Sequence, residues 1–74
     1  MSLNTFYLEV SNKPNGEKTE TLIVANNVIF CESGKVQTLI HLLDGTILYT
    51  DQSLKFINKL LTREYTHSRG DKNE

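Results

Sequence analysis

The chain contains few residues whose types and spacing could carry out catalysis. Cys31 and His41 could pair as nucleophile and base, but Cys31 lies in the apolar run 28–31. A free cysteine in such a run usually behaves as a small hydrophobic residue. His41 alternates with apolar neighbours, and no second metal ligand stands at a suitable spacing. Ser33-Gly34-Lys35 lacks the glycine spacing of a phosphate-binding loop. The sequence therefore predicts no enzyme, no cofactor and no metal site.

The bulk composition limits the size, the compartment and the partners of the protein. A chain of 74 residues forms at most one domain, and its core is marginal because so short a chain buries only about 60% of its unfolded surface. The single cysteine fits a reducing cytoplasm. No apolar run reaches the roughly 18 residues of a membrane span, and the first residues do not resemble a signal peptide. The formal net charge of −1 provides no strong attraction to nucleic acid.

Hydrophobic periodicity and turn residues predict the secondary structure. Phe6, Leu8 and Val10 alternate with Tyr7 and Glu9, which is typical of a half-buried strand. Asn15-Gly16 and Asp44-Gly45 tolerate the positive φ of tight turns, so each predicts a chain reversal. Strands are expected over residues 6–10, 19–25, 28–31, 36–43 and 46–50. The all-apolar run 28–31 predicts a strand buried on both faces.

A capped amphipathic helix follows the last predicted strand. Asp51 or Ser53 could accept a hydrogen bond from a backbone amide of the first turn. Apolar residues then recur at helical spacing, at Leu54, Ile57, Leu60 and Leu61. The predicted fold class is α+β, mostly antiparallel strands in hairpins or a meander with one C-terminal helix. Residues 1–62 form the domain, and the polar residues 63–74 are expected to be a flexible tail.

The same patterns predict a hydrophobic core shared by the strands and the helix. Leu54 is expected to anchor the helix, so Leu54→Ala should cost about 2–5 kcal/mol. The predicted core consists of Phe6, Leu8, Val10, Leu22, Val28, Phe30, Ile40, Leu42, Ile47, Tyr49, Leu54, Ile57 and Leu61.

The order of these segments resembles the LytTR-type DNA-binding domain. That family shows an "IxxIES" strand, a short turn, an "IHLxDG" hairpin and an "SLKxLExxL" helix. The chain has Val28-Ile29-Phe30-Cys31-Glu32-Ser33, then Ile40-His41-Leu42-Leu43-Asp44-Gly45, then Ser53-Leu54-Lys55 and Leu60-Leu61. Tyr65, His67, Ser68, Arg69 and Asn73 loosely resemble the family's closing segment. The resemblance covers residues 6–61 best.

The resemblance implies a bacterial transcription regulator, similar to the output domains of response regulators, that contacts double-stranded DNA through loops between strands. Mapped onto this chain, the turn between the strands around Val28 and Val36 would provide Lys35, Gln37 and Thr38, since glutamine can pair with adenine and lysine can contact guanine or phosphate. The closing segment would provide His67, Ser68 and Arg69, which can contact phosphates or base edges.

A second hypothesis is a protein-interaction or homodimerisation module of the same fold without direct DNA binding. A small sheet leaves an unpaired edge, which is a template for pairing with another chain. The small core also favours a partner that adds buried surface. A salt-dependent DNA-binding assay and sedimentation at several concentrations distinguish the two hypotheses.

Overall fold

A computed structural model describes residues 4–62 of the chain. The described part confirms the α+β class: two antiparallel sheets are followed by one helix. In chain order the elements are β1 (Thr5–Val10), β2 (Thr19–Val24), a 3-10 turn (Ala25–Asn27), β3 (Val28–Ser33), β4 (Thr38–Leu42), β5 (Ile47–Thr50) and α1 (Leu54–Leu61). None of the helices in this region is long and apolar enough to cross a membrane.

The two sheets are joined where β1 ends. β1 pairs with β2, and β3, β4 and β5 form a meander in that order. Ser11, just beyond β1, exchanges both backbone hydrogen bonds with Tyr49 of β5, at 2.9 and 2.8 Å. The strands thus follow the spatial order β2-β1-β5-β4-β3, with β2 and β3 as the outer strands of the described part.

The register of the first hairpin decides which side of β2 is buried. Phe6 stands opposite Ile23, and Tyr7 stands opposite Leu22. Because directly opposed residues share a face, Ile23 joins the core at 4% exposure. Leu22 is instead 53% exposed, so its predicted place in the core is wrong. The sequence left this choice open, since three consecutive apolar residues, 22–24, carry no alternation.

β3 is not the doubly buried strand that its apolar composition predicts. Its pairing with β4 shifts between Val28 and Phe30, which is a β-bulge. Ile29 and Phe30 are 56% and 49% exposed, although Val28 and Cys31 pack against the core. A bulge re-aims side chains and occurs preferentially at sheet edges. The prediction of Phe30 as a core residue is wrong because β3 is an outer strand with one partner.

Helix α1 is fixed at both ends by side-chain hydrogen bonds. Ser53 is the N-cap, and its Oγ accepts from the backbone N–H of Phe56 at 3.1 Å. At the other end, Asn4 Nδ2 donates to the carbonyl oxygens of Leu60 and Leu61, both at 3.0 Å. The last carbonyls of a helix have no partner within the helix, so Asn4 satisfies two of them. This contact ties the beginning of the described chain to its final helix.

The core is small and lies between the two sheets and α1. Ile57 is the only buried residue of α1, whereas Leu54 is 39% exposed. Leu54 is therefore not the anchor of the helix, its predicted place in the core is wrong, and the expected cost of Leu54→Ala falls below the about 2–5 kcal/mol of a buried leucine. The buried hydrophobic residues are Phe6, Leu8, Val10, Ile23, Ile40 and Ile57. Val28, Leu42 and Leu61 pack against them while partly buried.

Candidate nucleic-acid interface

Three loops meet at one end of the described structure. Residues 11–18 join β1 to β2, residues 34–37 join β3 to β4, and residues 51–53 join β5 to α1. Side-chain hydrogen bonds of Gln37 connect all three loops, and one from Thr38 at the start of β4 also holds the third. We call this set, residues 11–18, 34–37 and 51–53, the loop end. The opposite end of the meander carries the Asp44-Gly45 turn, where Gly45 has φ of 92°.

Gln37 is the link between the three loops. Its side-chain Oε1 accepts from the backbone N–H of Asn15 at 2.9 Å, and its Nε2 donates to Asp51 Oδ1 at 3.0 Å. The residue is 7% exposed. A buried amide is favourable only when its polar atoms are paired, and both of these are. Gln37 therefore holds the loops in one arrangement.

The β3–β4 turn is tightly closed beside this amide. The backbone N–H of Gly34 donates to the carbonyl of Gln37 at 2.8 Å. A Cβ at residue 34 would lie 2.6 Å from that carbonyl oxygen and 2.8 Å from Leu39 Cδ1. Only glycine fits this close approach. The next strand is fixed as well, since Thr38 Oγ1 donates to the carbonyl of Gln52 at 2.6 Å.

Asp51 is the charged member of the same network. Its Oδ2 lies 3.2 Å from Lys18 Nζ. The hydrogen bond from Gln37 lowers the pKa of the Asp51 carboxyl, and the hydrogen bond and charge of Lys18 lower it further. The carboxylate is thus ionised at neutral pH. It accepts hydrogen bonds from Lys18 of the β1–β2 loop and from Gln37 of the β3–β4 turn.

Acidification is expected to loosen the loop end. A carboxyl group whose folded pKa is depressed stabilises the fold above its unfolded pKa of about 3.9, and this contribution is lost as the pH falls through the lower folded value. The amide of Asn15, bonded to Gln37, should keep its chemical shift down to about pH 4 and change below it. A ¹⁵N-correlated NMR titration of wild type and Asp51→Asn measures this. Identical acid titrations of the Asn15 amide in both proteins would contradict the role of Asp51.

Basic side chains are concentrated at the loop end. Lys13, Lys18 and Lys35 belong to its loops, and Lys55 follows in the first turn of α1. The acidic residues on the same segments are Glu17 and Asp51. Four positive charges against two negative ones give a local charge of +2, whereas the whole chain carries −1. Lys13, Lys35 and Lys55 are exposed, and Lys18 is partly buried beside Asp51.

The structure separates the predicted DNA-contacting residues into two groups. Lys35 is exposed at the tip of the β3–β4 turn. Gln37 and Thr38 are buried, and their polar side-chain atoms are engaged within the chain. Their arrangement suits positioning of Lys35 more than contact with bases. The remaining predicted contacts, His67, Ser68 and Arg69, lie outside the described residues.

Sequence reasoning did not single out Lys13 or Lys18. Both lie in the long β1–β2 loop, which is distant from Lys35 along the chain. The hydrogen bonds of Gln37 and Asp51 hold this loop beside the β3–β4 turn. The sequence did offer one signal. Lysines stand in both turns, and the two strands between these turns, β2 and β3, have equal lengths, so the turns lie at the same end of the strands.

Cys31 and His41 do not form a nucleophile–base pair. Cys31 stands opposite Ile40 and packs against the core, whereas His41 stands opposite Phe30 on the other face of the sheet. Burial raises the pKa of the Cys31 thiol, which disfavours the reactive thiolate. His41 Nε2 lies 2.8 Å from Glu32 Oε2, and its ring stacks on Phe30 with 4.1 Å between ring centroids.

Beside Cys31, an open groove of about 460 Å³ separates β3 from α1. It is lined by Cys31, Leu54, Lys55, Ile57, Asn58 and Leu61. The described residues of its walls are mostly apolar, and none of them is acidic. Within residues 4–62, no group of three or more histidine, cysteine, aspartate or glutamate side chains could hold a metal ion.

Comparison of the chain with known protein families, with curated proteins and with solved structures finds no match. The assignment of a function to the loop end therefore depends on its own geometry and on the sequence pattern.

Proposed function

We propose that this protein is a LytTR-like DNA-binding module of transcription regulation that contacts duplex DNA through the loop end. The observation that carries the proposal is the local charge of +2 on the first turn of α1 together with the three loops that Gln37 connects. Phosphate contacts by lysine supply most of the affinity of such proteins for duplex DNA. The lone cysteine and the resemblance fit a cytoplasmic location.

DNA binding requires exposed cations that contact phosphates and a rigid framework that positions them, and the loop end has both. Lys13 and Lys35 project from separate loops and can contact different phosphates, because each is exposed and no carboxylate among the described residues lies within salt-bridge distance of either. Gln37 fixes the relative position of their loops beneath them. A preorganised pair of cations pays less conformational entropy on binding than two independent loops. The base contacts that the resemblance assigns to His67, Ser68 and Arg69 belong to the same proposal.

The double substitution Lys13→Ala/Lys35→Ala is expected to weaken DNA binding and its dependence on salt. Each lost phosphate contact should reduce the magnitude of the slope of log K against log salt by about 0.9. The slope of the double variant should therefore be smaller in magnitude by up to about 1.8. Gel shifts with a pool of random-sequence duplexes, at salt concentrations between about 50 and 200 mM, measure the slope.

Lys59→Ala is the matched control, because Lys59 lies in the last turn of α1 and outside the loop end. It should bind as wild type does. If wild type binds no duplex at the lowest salt concentration, or if the control loses as much slope as the double variant, the proposed interface is wrong.

A second candidate function is a protein-interaction module of the same fold that does not bind DNA. A specific observation favours it: Tyr7 and Leu22 lie opposite each other on the outer face of β1 and β2, at 66% and 53% exposure. The outer face of an antiparallel sheet is usually polar, so an exposed apolar pair marks a contact surface. Sedimentation in the absence of DNA tests this candidate.

A further inference from the structure

Within residues 4–62, the edge strand β2 directs a regular row of backbone hydrogen-bonding groups away from its one partner strand, β1. The backbone N–H of Ala25 donates to Asn4 at 2.8 Å, so this pair and every second pair along the hairpin are hydrogen-bonded. Thr19, Thr21 and Ile23 therefore direct their backbone groups towards β1. The alternate residues Glu20, Leu22 and Val24 direct theirs to the open side of the sheet. Among the described residues, β1 is the only strand that pairs with β2.

The other outer strand lacks this regularity. β3 carries a bulge between Val28 and Phe30, and Glu32 projects from it towards His41. Bulges and charged side chains are the devices by which edge strands avoid pairing with other chains. β2 also carries a charged residue, Glu20, but its six residues are in continuous register without a bulge, and it has no proline. The two edges of the molecule thus differ, and only one suits strand addition.

We infer that a second copy of this chain pairs with β2, giving a two-fold dimer in which β2 lies antiparallel to its counterpart, centred on Leu22. This register places Leu22 opposite itself and Glu20 opposite Val24 of the other copy. All six outward-directed residues, three from each copy, then find backbone partners. The dimer joins two β1–β2 hairpins into one four-stranded sheet.

Charge repulsion favours this register over the neighbouring register that is centred on Glu20. In the Leu22-centred dimer the two Glu20 side chains are four residues apart along the strands, or about 14 Å, which exceeds the Debye length of about 8 Å at physiological salt. A dimer centred on Glu20 would oppose the two carboxylates directly, next to Glu9, which already faces Glu20 across the hairpin. Like charges directly opposite are destabilising.

The exposed apolar side chains fit the same pairing. Leu22 is 53% exposed and Tyr7, its neighbour on β1, is 66% exposed on the same face. Across the two-fold axis the Leu22 side chains meet and the Tyr7 rings flank them. Because a two-fold interface uses the same patch on both copies, the assembly closes at two chains. The bulged edge of β3 prevents further growth.

This inference deepens the protein-interaction candidate and is compatible with DNA binding by the loop end. If no dimer forms, the gel shifts of the lysine variants still test DNA binding. If the protein does not bind DNA, sedimentation still tests the dimer. The two proposals can therefore fail separately.

Sedimentation equilibrium of the full chain tests the dimer directly. The weight-average mass should rise from 8.4 kDa towards twice that value as the concentration increases through the micromolar range typical of small interfaces. Leu22→Lys should weaken the association by at least about tenfold, because a lysine at the centre of an edge opposes pairing. Leu43→Lys is the matched control, since Leu43 is likewise exposed but lies in the β4–β5 turn and not on β2.

Cross-linking tests the register. In a Cys31→Ala background, Leu22→Cys should form an intermolecular disulfide on mild oxidation. Hydrogen-bonded antiparallel partners have Cα atoms about 5.5 Å apart, which lies within the range that a disulfide spans. Val36→Cys, at a position 79% exposed in the β3–β4 turn, is the control for random collision. A wild-type mass of 8.4 kDa at every concentration, or equal cross-linking of the two cysteine variants, would overturn the inference.

Discussion

Replacing Ile57 with alanine is expected to lower the free energy of unfolding by about 2–5 kcal/mol. Ile57 is 0% exposed and is the only residue of α1 that is fully enclosed by the core. Its truncation removes buried apolar surface and leaves a cavity that the sheets cannot fill completely. A small domain is stable by about 5–15 kcal/mol, so this loss is a large part of the total.

Leu54→Ala is the matched control for this substitution. Leu54 lies one turn earlier on the same helix and is 39% exposed, so its truncation should cost about 1 kcal/mol. Urea unfolding followed by circular dichroism compares the two variants at one protein concentration, because self-association would otherwise change the apparent stability. Equal losses in the two variants would mean that α1 is anchored in a different orientation.

Replacing Gln37 with leucine is expected to release the three loops of the loop end from one another. Leucine preserves the approximate volume but leaves the amide of Asn15 and one oxygen of Asp51 without their partner. A group that loses its partner while shielded from water costs about 1–3 kcal/mol. Asp51 is exposed, so water can replace its lost partner. We therefore expect a loss of about 1–3 kcal/mol in the free energy of unfolding.

The loop end should also respond in a way that a general loss of stability would not produce. Hydrogen exchange of the Asn15 amide should accelerate more than that of Ile40 at the centre of β4. Gln52→Leu is the control, because Gln52 is an exposed neighbour that contacts Thr38 through its backbone carbonyl. If Gln37→Leu accelerates exchange uniformly along the chain, Gln37 stabilises the fold as a whole and does not specifically position the loops.

Much of the local structure could be predicted from the sequence, since local interactions determine it. The Asp44-Gly45 turn forms with Gly45 at φ 92°, and its position between apolar runs was sufficient to place it. Ser53 forms the helix cap that its type and position indicate. The alternation of Phe6, Leu8 and Val10 correctly identified the buried face of β1.

Burial was less predictable where no alternation exists or where a strand lacks a second neighbour. Leu22 and Ile23 are adjacent and equally apolar, and only the pairing of β2 with β1 decides that Ile23 is inside. Phe30 is exposed because β3 is an edge strand with a bulge. Neither the partner strand nor the register is a local property, so neither can be obtained from the residues themselves.

The sequence by itself determined the α+β class, the order of strands and helix, and the exposed position of Lys35 in a turn. The tertiary structure alone decided the rest of the candidate interface. Gln37 looked like a residue available for a base edge, but it is buried and bonded to loops 22 and 14 residues away along the chain. A glutamine has the same donors and acceptors in either role, and which partners it meets depends on contacts that only the folded chain creates.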